Sequence, residues 1–196
     1  MNKPGYIIGL LLAGGKARRM GGVDKGAVLW EGEPMAQWVL RALRAVTPSC
    51  FISANRSVQG YQSSAPGRIL ADLEYLQGQG PLAGLLTGLI AARQQGASAV
   101  LVCPCDTPSI TPEIFQDLIN AWEKQPSRPA IAENHGRIHP LHGVYPVSLI
   151  EVLEQWLATG NRRVMGFVKS AGAVTVNCPD AAEVFKNRNR PEDLTR

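Results

Sequence analysis

The cations Lys16, Arg18, Arg19 and Lys25 lie among four glycines, Gly14, Gly15, Gly21 and Gly22, directly after the apolar run Leu10 to Ala13. Glycine lets a backbone pass close to a ligand and its bare N–H groups attract anions, so glycines and cations together describe a loop that wraps phosphate. The simplest ligand of that kind is a nucleoside triphosphate. The second chemically capable residue is Asp106, in the segment Cys103-Pro104-Cys105-Asp106-Thr107-Pro108 that follows the apolar run Ala99 to Cys103. Its flanking prolines put the carboxylate on a stiff turn, where it would hold Mg²⁺. Magnesium on a triphosphate takes only one or two protein carboxylates, so a lone Asp suffices. A turn residue bonding its own backbone is the structural alternative.

The loop lacks the order of a P-loop, because Lys25 is followed by Gly26 with no Ser or Thr for magnesium, and its glycine spacing fails the dinucleotide fingerprint. It resembles instead the glycine-rich signature of nucleotidyltransferases with a Rossmann-like fold. In its detail, LLAGGKARRMGGVDKG is similar to the molybdenum cofactor guanylyltransferases, and CPCDTP matches that family's magnesium and nucleotide segment at Asp106. The resemblance implies nucleotide contacts at Leu12, Ala13, Gly14, Gly15, Lys25, Ser53, Asn55, Asp72 and Asp106. Ser53 stands where some members have Asn, and a strand-end Ser also serves to cap the next turn. Paired glycines at Gly14 and Gly15, where the related cytidylyltransferases resemble L-A-A-G, leave room for a purine and favour GTP over CTP.

For the acceptor, the resemblance implies molybdopterin, with or without molybdenum, held by His139, Arg162, Arg163, Asn187 and Asn189. These residues lie in His139-Pro140, Arg162-Arg163-Val164-Met165 and Asn187-Arg188-Asn189-Arg190-Pro191, the last with Arg190 in place of the family's usual Thr. An ordinary solvated basic face with His139 as a satisfied loop histidine is the competing account. The implied reaction is attack of the pterin's terminal phosphate on the α-phosphorus of GTP, with pyrophosphate leaving. Lys25, Arg19 and the Gly14 and Gly15 N–H groups would stabilise the leaving group and Asp106 the metal. Accessory and molybdoenzyme-maturation proteins are the implied partners. A cytidylyl or sugar-phosphate nucleotidyltransferase, or a nucleotide-binding module without chemistry, would share the loop.

Elements must position these residues. Strand signals at Ile7 to Ala13, Phe51 to Ala54, Arg68 to Ala71 and Ala99 to Cys103 alternate with helix signals at Pro34 to Val46, after Gly80-Pro81, and after Thr111-Pro112. Gly84 and Gly88 stand one turn apart, so the second helix can approach a sheet closely. Past Pro129 the pattern predicts short strands near Ala130 to Ala132 and Gly143 to Tyr145, and helices near Val147 to Ala158 and Arg163 to Ser170. The expectation is a single α/β domain, Rossmann-like, with an open, mostly parallel sheet and helices on both faces. Residues 1–110 would mainly bind GTP and Mg²⁺, and 111–196 mainly molybdopterin.

Composition agrees with such an enzyme. The chain has 196 residues, 45% of them hydrophobic, with no run long enough to span a bilayer and no secretory leader, which predicts a cytoplasmic protein. The net charge of +4 is too small, and too concentrated near the loop and Arg162-Arg163, to require nucleic acid; anionic small molecules account for it. Cys50, Cys103, Cys105 and Cys178 read as buried reduced thiols, and the spacing of Cys103 and Cys105 suits neither zinc nor a redox pair. Three histidines between residues 135 and 142, with no carboxylate to complete a set, do not make a zinc site.

Overall fold

The computed structural model describes residues 5–13, 16–17, 23–55, 61, 68–179, 183–189 and 191–194; the expectations at Gly14, Gly15 and Arg19 fall outside them. Seven strands form the main sheet: β1 (Ile7–Leu12), β2 (Cys50–Ser53), β3 (Ile69–Leu70), β4 (Ala99–Pro104), β5 (Ala130–Asn134), β6 (Arg137–Pro146) and β7 (Val174–Asn177). Their spatial order is β7-β5-β6-β4-β1-β2-β3. Strand β1 pairs in parallel with both β2 and β4, β3 is parallel to β2, and β7 is parallel to β5. Only β6 runs the other way, antiparallel to β4 and β5. The mostly parallel sheet is therefore as expected, with one reversed strand.

All six residues of β1 are buried, as a central strand covered on both faces must be. Alternation divides them. Ile7 and Leu11 join the core beneath helices α1 (Met35–Val46) and α3 (Pro112–Lys124), while Ile8, Leu10 and Leu12 join the core beneath α2 (Pro81–Gln94), α4 (Ile150–Ala158) and α5 (Val164–Ser170). Gly84 and Gly88 account for the close seat of α2. A Cβ at Gly84 would stand 2.5 Å from the Ser53 hydroxyl, and one at Gly88 would stand 2.3 Å from Leu10 Cδ2. Gly80 precedes α2 at φ +90°, a backbone that favours glycine, and Pro81 opens the helix.

The second half departs from the sequence pattern in two places. Strand β6 spans ten residues rather than the predicted three, because Arg137 to His139 pair with β5 and the strand runs on through Pro140 at an irregular register between His139 and Gly143 before it also meets β4. Strand β7 was not predicted at all. It is a four-residue edge strand whose side chains alternate between half-buried and exposed, too short to register as a period.

Candidate active site

Four strand ends in adjacent positions deliver the site, in keeping with the rule that open α/β sheets bind ligands beyond the carboxyl ends of their strands. Backbone bonds continue past the strands and fix where each side chain emerges: Ala13 N–H donates to Ser53 O at 2.9 Å, Ala54 N–H to Leu70 O at 2.9 Å, and Cys105 N–H to Leu12 O at 3.1 Å. Above them lies a cavity of about 440 Å³ lined by Leu12, Lys25, Ser53, Asn55, Asp72 and Asp106, together with Gly80, Pro81 and Gly84 of the α2 start.

The cavity carries two polar groups. Beyond β4, Lys25 Nζ donates to Asp106 Oδ2 at 2.5 Å and also to Asn189 Oδ1. Lys25 sits in a single 3-10 turn, Lys25–Ala27, capped by Asp24, whose carboxylate accepts from the Gly26 N–H and the Tyr61 hydroxyl. Beyond β2 and β3, Asn55 and Asp72 pair doubly: the Asn55 amide donates to Asp72 Oδ2 at 2.6 Å, and Asp72 N–H donates to Asn55 Oδ1 at 2.8 Å. Burial raises the Asp72 pKa above the ordinary carboxylate value, against the pull of the Asn55 amide and the Ser53 hydroxyl. Three strand spacings separate β3 from β4, roughly 14 Å, about the reach from a nucleobase to its phosphates.

Two acceptor atoms stay unsatisfied there. Asp106 Oδ1 and Asp72 Oδ1 are both buried without a hydrogen-bond partner, although buried carboxylate oxygens ordinarily have one. A carboxylate beside a cavity, with one oxygen on a lysine and the other without a partner, fits a divalent cation, which prefers hard anionic oxygen. Among the described residues no group of three or more acidic, His or Cys side chains could hold a metal ion; magnesium on a triphosphate takes only one or two protein carboxylates.

Residues 9–174 match the MobA-like NTP transferase domain. The chain belongs to the MobA-like NTP transferase family. It is 40% identical over 190 residues to a molybdenum cofactor guanylyltransferase of Cereibacter sphaeroides, covering 97% of this chain and 94% of that one. It is 37% identical over 185 residues to a Pasteurella multocida protein of the same name, covering 94% and 95%. Among solved structures, molybdopterin-guanine dinucleotide biosynthesis protein A from Archaeoglobus fulgidus superposes with a TM-score of 0.77 at 24% identity, over 95% of this chain and 94% of that one. A 4-diphosphocytidyl-2C-methyl-D-erythritol synthase from Anaerococcus prevotii gives 0.75 at 13%, over 97% and 93%, so it shares the fold.

Within this NTP transferase, Leu12, Lys25, Ser53, Asn55, Asp72 and Asp106 all line the cavity, and Asn189 joins them through Lys25. Ala13, just past the end of β1, is buried and does not line the cavity. The remaining acceptor candidates stand apart. His139 is buried, stacked on Phe185 with ring centres 4.3 Å apart, and burial lowers its pKa. Arg162 donates to the carbonyls of Leu157 and Asn161 and borders a second cavity of about 390 Å³ with Tyr75 and Gln79. Arg163 precedes α5 at its N-cap, exposed, and Asn187 is exposed as well. All four cysteines are free and buried, as expected.

Three further residues stand near the site. Leu141 of β6 lines the cavity. His142, fully buried, shares a 2.9 Å hydrogen bond between Nε2 and the hydroxyl of Thr107, next to Asp106. Arg188 reaches the Asp106 turn with its backbone, donating N–H to Asp106 O at 2.8 Å. Each depends on a long-range contact that no local pattern records.

Proposed function

We propose that this enzyme transfers GMP from GTP to the terminal phosphate of molybdopterin, releasing pyrophosphate and forming the guanine dinucleotide form of the molybdenum cofactor. The observation that carries the reading is Asp106, with Lys25 on one carboxylate oxygen and nothing on the other, at the end of β4 beside the cavity. The curated relatives' shared name and their near-full coverage support the choice of substrates.

The Asn55–Asp72 pair holds the guanosine. A buried carboxylate oxygen without a donor suits guanine, whose edge presents a ring N–H and an adjacent amine; cytosine offers one donor beside two acceptors. The α2 N-terminus and Gly84, where any side chain would meet Ser53, keep the floor open for the purine. Lys25 faces the phosphates and, with Arg19 and the Gly14 and Gly15 N–H groups, stabilises charge on the leaving pyrophosphate. Asp106 would hold Mg²⁺, which supplies charge neutralisation on the phosphates when bound. The acceptor phosphate approaches from the side of Asn189 and Leu141. It attacks the α-phosphorus in line; the new P–O bond forms as the bond to the β-phosphate bridging oxygen breaks. The nucleophile is already anionic at neutral pH, so no general base is required and catalysis rests on positioning and electrostatics.

The four reduced thiols are in keeping with work in the cytoplasm. The test is pyrophosphate release from GTP, CTP and ATP with molybdopterin and Mg²⁺. Release with GTP far above the other two is expected. Preference for CTP would move the enzyme to the cytidylyl branch, and no release with any nucleotide would leave a binding module.

A further inference from the structure

Segment 183–189 lies across the catalytic turn, and Arg188 ties it to both sides of the Lys25–Asp106 pair. Its N–H donates to Asp106 O at 2.8 Å. Its guanidinium, on a residue only 9% exposed, sits 5.8 Å from the Trp30 ring centre. Trp30 is itself fixed: its carbonyl accepts from Trp38 Nε1 at 3.0 Å, and its ring meets the Trp38 ring edge-on at 5.2 Å. Trp30 stands five residues after Lys25, just beyond its 3-10 turn, so Arg188 joins the segment that carries Lys25 to the turn that carries Asp106. The next residue, Asn189, accepts from Lys25 Nζ. Phe185 anchors the same segment from its other end, stacked on His139 and edge-on to His142 at 5.1 Å.

A buried guanidinium is costly unless it is paired, and this one has poor company: Glu183 is 3.9 Å away and largely exposed, and Arg188 Nε has no partner. The aromatic face of Trp30 offsets only part of that cost. A flat cation in so unrewarding a place does little for stability, which leaves its geometric work. We propose that Arg188 is a positioning residue: its side chain, seated on Trp30, fixes the backbone N–H that bonds the Asp106 carbonyl and so sets the separation of the Lys25 and Asp106 side chains for phosphoryl transfer. This rests on the assignment of those two residues to the phosphates.

The experiment measures melting temperature, kcat per folded molecule and KM for GTP in Arg188→Ala and Arg188→Lys, and repeats Arg188→Ala in a Lys25→Ala background under single-turnover conditions. A misplacement near 1 Å costs on the order of 100-fold, so kcat should fall roughly 10- to 100-fold in Arg188→Ala. KM for GTP should stay within about threefold, because the Asn55–Asp72 end is untouched. Arg188→Lys keeps the charge but not the flat face and should recover little; it carries the test alone if Arg188→Ala does not fold. With Lys25 already removed, Arg188→Ala should cost less than about twofold more. A normal kcat per folded molecule in either variant, or a full additional loss without Lys25, overturns the proposal. If Lys25→Ala alone remains active, the phosphate assignment fails instead.

Discussion

Lys25→Ala removes the cation from a pair that approaches to 2.5 Å with side chains only 16% and 10% exposed. At an effective dielectric of about 20, the gross attraction at that distance is about 7 kcal/mol, most of it offset by the desolvation of two charges. The variant leaves Asp106 buried and unpaired, which costs 3–5 kcal/mol in comparable pairs, about as much as protonating an ordinary carboxylate at pH 7. A loss of about 3 kcal/mol lowers the melting temperature by roughly 6–12 °C in a chain of this size. The enzyme should remain folded well below that point. Turnover should fall far more. A cation aimed at phosphoryl charge is worth on the order of a thousandfold, about 4 kcal/mol in the barrier. Pyrophosphate release, measured where both proteins are fully folded and normalised to folded enzyme, separates the two effects. Turnover within tenfold of the unaltered enzyme would show that Lys25 braces the Asp106 turn and has no part in the chemistry.

Asp106→Asn keeps the shape of the turn and its bond to Lys25 but removes the charge a hard cation prefers; turnover should collapse and recover in part as Mg²⁺ is raised. An unchanged magnesium dependence would exclude Asp106 as the metal ligand. Gly84→Ala puts a methyl group 2.5 Å from the Ser53 hydroxyl and 3.1 Å from Leu12 Cδ2, so stability should fall by about 1–3 kcal/mol and GTP affinity with it, read by calorimetry; unchanged affinity would place the base elsewhere. Because burial raises the Asp72 pKa, the folded state binds more protons than the unfolded state above pH 3.8, and Asp72 weakens the fold as pH rises through that window. Asp72→Asn should therefore melt higher at neutral pH, with the gain fading in acid, while GTP binding weakens; equal melting at every pH would contradict this. His142, held down to about 3 from 6.5 by burial, acts in the opposite sense: the unfolded chain takes up the proton first, and stability drops as pH falls below 6.5, by about 2 kcal/mol at pH 5. Urea melts of His142→Gln should lose that slope.

Much of the candidate site was legible in the chain because its residues sit next to the features that announce them. Asp106 follows a buried strand between two prolines, Lys25 closes a glycine-rich loop, and Gly84 and Gly88 mark the helix face that meets the sheet. Burial on both faces makes a parallel strand apolar throughout, so β1, β2 and β4 advertised themselves locally. Periodicity states which face is buried but not which partner covers it. For that reason the reversal of β6, its passage through Pro140 and the edge strand β7 emerged only with the sheet. The same holds for side-chain direction: Asn189 meets Lys25 across 164 residues, whereas His139 turns inward onto Phe185 and Arg162 turns to carbonyls beside another cavity. Local sequence thus determined the residue types proposed to bind and transfer phosphate. Which of them meet at the strand ends was decided by long-range packing, since a side chain's neighbours depend on the register and crossing of elements far apart in the chain.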